Sequence, residues 1–167
     1  MDALDAMRAR RSVREFADKP VARERIEKIV DCARLAPTAR GEEPWEFIAV
    51  TDKTALAALA DMADHGRFIR GAACAIVICC RDTKYYLEDG CAATENVLVA
   101  AAALGIGSCW VAGDKKSYAG QVLSYLGIDP QYKLISILAL GYPAKPAKAS
   151  EKRPLESVLH WGSFSDR

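Results

Sequence analysis

The longest regular pattern of apolar and small residues lies between Asp89 and Trp110. Ala92, Ala93, Asn96, Val97, Ala100 and Leu104 recur at helical spacing, Asp89 stands where a cap is expected, and Gly105 ends the run. A helix so rich in alanine admits close neighbours on most sides, which predicts a long, buried central helix. Beyond it Gly107 leads into an extended piece, 108 to 111, whose backbone is open to the approach of a flat ligand. Elsewhere, helical spacing predicts a helix over residues 2 to 10 with Leu4 and Met7 inward. A second covers 22 to 36 with Ile26, Ile29, Val30 and Ala33 on one face, and a third follows Asp52 with Leu56, Leu59 and Met62 inward. A further helix starting at Asp114 or Ser117 carries Val122, Leu123 and Leu126 and stops at Gly127. Continuous apolar runs predict strands over 45 to 50, 73 to 80 and 133 to 140, the second long enough to be covered on both faces.

Helices and strands alternate without an internal repeat, which gives an α+β or three-layer α/β domain with three or four core strands. The 167 residues suit one core, and the whole chain, 1–167, is expected to be a single domain. From Ala144 the character changes. A small-residue and lysine segment containing Pro146 precedes an apolar pattern at Leu155, Val158 and Leu159, as in an arm that docks on a second subunit.

A formal net charge of +1 leaves no broad basic face for nucleic acid. No run reaches the ~18 consecutive apolar residues that span a bilayer, because charged or polar residues interrupt every candidate. The charged, amphipathic start lacks a signal-peptide core, so a cytoplasmic location is expected, with no membrane partner. Six cysteines without a CxxC pair, and only two histidines, His65 and His160, argue for small buried hydrophobes and against a metal site.

Three sets of residues are candidates for chemistry. Arg10, Arg11, Ser12 and Arg14, with Lys152 and Arg153 from the tail, combine guanidinium forks, ammonium charge and a neutral hydroxyl suited to one phosphate monoester. The same cations would also serve as solvated charges at a helix end. The loop Pro37, Thr38, Ala39, Arg40 and Gly41, followed by Glu43-Pro44-Trp45, offers a hydroxyl, a cation and free backbone to a polar ligand edge, or is a plain helix-to-strand connection. Asn96, beside Glu95 in the alanine helix, is expected to hydrogen-bond across a packed interface. No Ser-His-Asp or Cys-His arrangement is present, so an enzyme here would take its chemistry from a cofactor.

Five stretches together resemble the nitroreductase family of FMN-dependent flavoproteins: RRSVREF at 10 to 16, LAPTARGEEPWEFIAV at 35 to 50, YYLEDGCAATENVLVAAAALGIGSCW at 85 to 110, GYPAKP at 141 to 146 and KRPLESVLH at 152 to 160. The resemblance implies a three-layer α-β-α fold with a central mixed sheet, a long buried central helix, and a C-terminal arm, residues 144–167, exchanged in a homodimer. It implies two FMN sites between the subunits. Arg10, Arg11, Ser12, Lys152 and Arg153 would hold the phosphate and ribityl end, and Arg14 would lie near the pyrimidine edge of the ring. Pro37, Thr38, Ala39 and Gly41 would belong to a loop supplied by the partner, and the backbone at Ala112 and Gly113 would face the ring, an N–H reaching toward N5. The implied activity is transfer of hydride from NAD(P)H through FMN to an electron-poor acceptor, a nitroaromatic or quinone, by a ping-pong mechanism. The same fold also serves flavin-dependent dehalogenases and dehydrogenases, and a non-enzymatic flavin-binding or interaction dimer is the other alternative. The chain departs from the family's NxQPW pattern, reading GEEPW, with Gly41 in place of the amide and Glu43 in place of glutamine.

Overall fold

A computed structural model describes residues 1–164. Four strands, β1 (Trp45–Val50), β2 (Cys74–Arg81), β3 (Gly107–Ala112) and β4 (Tyr132–Gly141), form one sheet in the order β1-β2-β4-β3. Five helices surround it: α1 (Ala3–Ala9), α2 (Arg23–Ala33), α3 (Lys53–Met62), α4 (Tyr86–Ala103) and α5 (Ala119–Tyr125). The two sheet faces each bury an apolar layer. Ile76, Ile78, Leu138 and Leu140 point to α2 and α4, while Ala75, Val77, Ile137 and Ala139 point to α3 and α5. This is the three-layer α-β-α arrangement that the alternating elements imply. Among the described residues no helix is long and apolar enough to cross a membrane.

Three expectations are corrected. The sheet is antiparallel through all four strands, and its parallel component is confined to a single bridge from Ser12 to Ser108. Leu4 and Met7 do not face inward: they are 62% and 58% exposed, and α1 buries only Ala6. A seven-residue helix presents one narrow face to its neighbour, and here α1 packs on α4 through its small residue. Asp89 does not cap α4, which begins three residues earlier after Tyr85.

The central helix is less buried than its alanines suggest: Ala93, Val97, Leu98 and Ala101 are buried, Ala92, Ala100 and Ala102 are half-buried and Ala103 is exposed, while its inward polar groups are satisfied across packed surfaces. The Thr94 hydroxyl lies 2.7 Å from the Gly90 carbonyl and 2.9 Å from Ser136 Oγ, so α4 and β4 meet through a closed polar pair. Asn96 Nδ2 donates to the Cys32 carbonyl at the end of α2, and Arg25 donates to the Leu104 carbonyl at the end of α4. Gly105, at φ 70°, then takes the left-handed turn that lets the Ile106 N–H bond back to the Ala101 carbonyl. Register shifts between Ile78 and Cys79 opposite β4, leaving Ile135 as the extra residue of a bulge.

Candidate active site

Helix α1 delivers Arg10 at its C-cap, and the chain continues extended so that the Val13 N–H donates to the Ser108 carbonyl at 2.9 Å. That pairing lays the basic segment along the edge of β3. It encloses a cavity of about 550 Å³ lined by Arg8, Arg10, Arg11, Ser12 and Arg14, with Lys148 and Lys152 closing it from the tail. No carboxylate among the described residues lines it. Of these six cations Arg8 has Asp5 at 3.7 Å and Arg10 has Glu95 at 4.0 Å, so the set keeps a surplus of positive charge suited to an anion. Arg11 is already engaged: its Nη1 donates to the carbonyls of Arg8 and Arg10 at 2.5 and 2.7 Å. Arg10 has only a distant partner, Glu95 at 4.0 Å, and its guanidinium is available. Arg153 is not brought in, because its guanidinium donates to the Ser157 carbonyl within the tail.

A second cavity, about 280 Å³, shares Arg14 with the first and reaches β3 at Trp110, Val111 and Ala112. Its other walls are Asp64, His65, Phe68, Lys116 and Tyr118. Arg14 Cζ lies 5.7 Å from the centre of the Phe68 ring. His65, Phe68 and Tyr118 escape a reading of the sequence, since the polar stretch after α3 has no periodicity to assign them a direction.

The register of β3 decides which backbone groups face this cavity. The Gly113 N–H donates to the Ile135 carbonyl at 2.9 Å, which makes 113/135 and, by alternation, 111/137 hydrogen-bonded pairs. Residues 108, 110 and 112 therefore turn their polar groups to the open edge, and two bonds bear this out: Ser108 O accepts from Val13, and the Ala112 carbonyl accepts from the Tyr118 hydroxyl. Thus Gly113 has no N–H to offer a ligand, contrary to expectation, while Ala112 and Trp110 do. Of the two glycines at 105 and 107, Gly105 has open space beside it, whereas Gly107 serves packing. A Cβ on Gly107 would stand 2.7 to 3.0 Å from three side-chain atoms of Val13.

The segment after β3 is held at its far end by Tyr86, whose hydroxyl donates to Asp114 Oδ1 at 2.8 Å. That hydrogen bond, with burial and the Asp114 charge, pushes the phenol up to about 12. The folded state thus keeps a proton that the unfolded chain releases near pH 10, so the stabilisation is full below pH 10 and lost as pH rises toward 12. A Tyr86→Phe variant is expected to lose less stability than the parent between pH 10 and 12 in denaturant titrations; identical losses would rule the contribution out.

The loop at 37 to 43 lies elsewhere. None of its residues lines either cavity of its own chain. It is tied to α4 by Asp89, whose carboxylate accepts from Thr38 Oγ1 at 2.8 Å and from the Ala39 N–H at 2.9 Å. Asp89, 3% exposed, went unrecognised in the sequence as a partner of this loop because the two are 50 residues apart. Pro37 and Gly41 are exposed. The strand cysteines are poor nucleophiles: burial pushes Cys74 and Cys80 up to about 12 and Cys79 to about 11. Burial also raises Cys109, against the opposing influence of Arg14, Ser12 and Arg10.

Comparison with known proteins supplies the remaining context. The model of the nitroreductase family matches residues 7–66 and 65–142. A protein of Archaeoglobus fulgidus, named as an NADH dehydrogenase/NAD(P)H nitroreductase, is 38% identical over 149 residues, which is 85% of this chain and 86% of the relative. An FMN-dependent nitroreductase from Clostridium difficile has a similar structure, with a TM-score of 0.90 at 30% identity over 96% of this chain and 99% of that one. A nitroreductase from Desulfovibrio desulfuricans, solved in complex with FMN, has a TM-score of 0.86 at 29% identity over 98% of each chain.

Proposed function

The chain belongs to the nitroreductase family, and from that premise we propose that it is an NAD(P)H-dependent FMN oxidoreductase working as a homodimer with two shared cofactor sites. The observation that carries the reading is a pair of cavities that share Arg14: one lined by cations and, among the described residues, by no carboxylate, the other at an open sheet edge with unpaired N–H groups. A phosphate monoester on a short polar chain attached to a flat heterocycle matches those two ends, so the residues present fit FMN. When bound, FMN would supply hydride-transfer chemistry between NAD(P)H and an electron-poor acceptor such as a nitroaromatic or quinone, in ping-pong order.

The protein's own residues bind and orient. Arg10, Ser12 and Lys152 would hold the phosphate, and Arg11, folded back on the carbonyls of Arg8 and Arg10, braces the segment that carries Arg10 and Ser12. Arg14 places positive charge where the two cavities meet, which favours added negative charge on the ring. Ala112 turns its N–H to the open edge of β3, where it would be available to a bound ring. No side chain need act as a nucleophile. Anaerobic addition of NADH or NADPH to the FMN-loaded protein is expected to bleach the flavin absorbance; no bleaching with either would overturn the reading.

The dimer is supported by what a single chain leaves uncovered. Leu155, Trp161 and Phe164 of the arm are 68%, 78% and 77% exposed, together with Leu4 and Met7 of α1. An apolar-floored groove of about 790 Å³ runs between α2 and the free edge of β1, with Val21, Ile26, Val30 and Phe47 in its lining. Apolar surface of this kind marks an interface, and exchange of the arms would cover it. Residues 165–167, the end of the expected arm, lie outside the described residues. Ending the chain after Pro143 is expected to convert a dimer into a monomer in sedimentation at micromolar concentration and to weaken FMN binding through loss of Lys152. An unchanged sedimentation profile would exclude arm exchange.

A further inference from the structure

We infer that Asp89 is a positioning residue for the cofactor, acting through the loop at 37 to 43, and that it serves the site of the other subunit; the inference rests on the shared-site reading above. Asp89 is buried in the first turn of α4, and a buried carboxylate is costly unless its oxygens are satisfied. Asp89 directs both oxygens to the loop, Oδ2 to the Thr38 hydroxyl and Oδ1 to the Ala39 N–H. The Thr38 oxygen in turn accepts from the Glu43 N–H at 3.1 Å. These three bonds close the loop at 38, 39 and 43.

Between the tied ends the backbone is left-handed at Arg40, Gly41 and Glu43, with φ of 61°, 69° and 42°. Two of these are not glycine, and such conformations persist only where the surroundings over-determine them. The latch therefore holds a shape the loop would not keep alone. That shape presents the exposed Pro37, Arg40, Gly41 and Glu43 outward, away from the cavities of the same chain. The ligand edge it fits belongs to a second copy.

The test uses the full-length dimer and FMN titration by quenching of flavin fluorescence, with amide hydrogen exchange of the cofactor-free protein as a second readout. Asp89→Asn and Thr38→Val are each expected to raise the FMN dissociation constant about five- to tenfold, one lost polar contact's worth, and to speed exchange at Ala39 and Glu43. Thr38→Ser keeps the hydroxyl and is expected to stay within about twofold of the parent. The double variant should be no weaker than Asp89→Asn alone, because both changes break one latch. Thr38→Val carries the test if Asp89→Asn fails to fold.

A mixed dimer of one Asp89→Asn subunit with one Arg10→Ala subunit then assigns the site. Action across the interface leaves one site intact and one doubly impaired, giving a two-phase titration with half the sites at parental affinity. A titration lacking any parental sites overturns action in trans. Parental affinity in both single variants, or a Thr38→Ser protein as weak as Thr38→Val, overturns the role of Asp89 while leaving the shared-site reading in place. A parent protein that takes up no FMN overturns both.

Discussion

Arg10→Ala is expected to weaken FMN binding by about 1.5–3 kcal/mol, roughly ten- to a hundredfold, the loss of a hydrogen bond between charged partners. The size follows from how the guanidinium is placed. It lines the cavity, is partly sheltered from solvent, and has no partner nearer than Glu95 at 4.0 Å. Nothing else claims it before the cofactor arrives, so its contact with phosphate is formed at little expense. Arg11→Ala should behave differently. Its side chain donates to the carbonyls of Arg8 and Arg10, and its removal should loosen the segment and show first as a loss of stability. Isothermal titration of FMN into parent and variants separates the two, and an Arg10→Ala protein that binds FMN as the parent does would exclude the role.

Gly107→Ala is expected to destabilise the fold by about 1–3 kcal/mol, the usual penalty for inserting a methyl into a packed contact. The new Cβ would sit 2.7 to 3.0 Å from Cβ, Cγ1 and Cγ2 of Val13, and a β-branched side chain has no rotamer that clears all three. The strain is relieved only by moving the backbone of Val13 away from β3. Val13 lies between Ser12 and Arg14, and its N–H is the bond that docks the basic segment on the sheet. The same methyl should therefore weaken FMN binding as well as stability, although Gly107 lines neither the Arg14 cavity nor the phosphate chamber. Guanidinium chloride unfolding gives the first effect and FMN titration the second. A variant as stable as the parent would show that the strand edge yields without cost.

The glycine at 107 also shows where reading a sequence misassigns a cause. Its lack of a side chain was legible, and so was its place at the start of an extended piece. Whether that gap admits a ligand or a neighbouring strand depends on what packs there, and Val13 is distant in the chain. The N–H groups of β3 pose the same problem. Position in the sequence makes Ala112 and Gly113 equivalent; pairing with β4 gives the Gly113 N–H to Ile135 and turns Ala112 outward.

What the sequence determined by itself is the order of helices and strands, the alanine-rich α4, the doubly covered β2, the basic segment at 10 to 14 and the exposed apolar tail. Each is written in the spacing of neighbouring residues, because the period of a helix or strand sets which side chains share a face. Only the tertiary structure decided that the sheet is antiparallel, that α1 leaves Leu4 and Met7 uncovered, that Arg153 bonds within the tail and does not line the basic cavity, and that Asp89 fastens a loop 50 residues distant. These depend on which distant segments come to lie side by side. That choice is made by the packing of whole elements and the satisfaction of buried polar groups, and no local pattern along the chain records it.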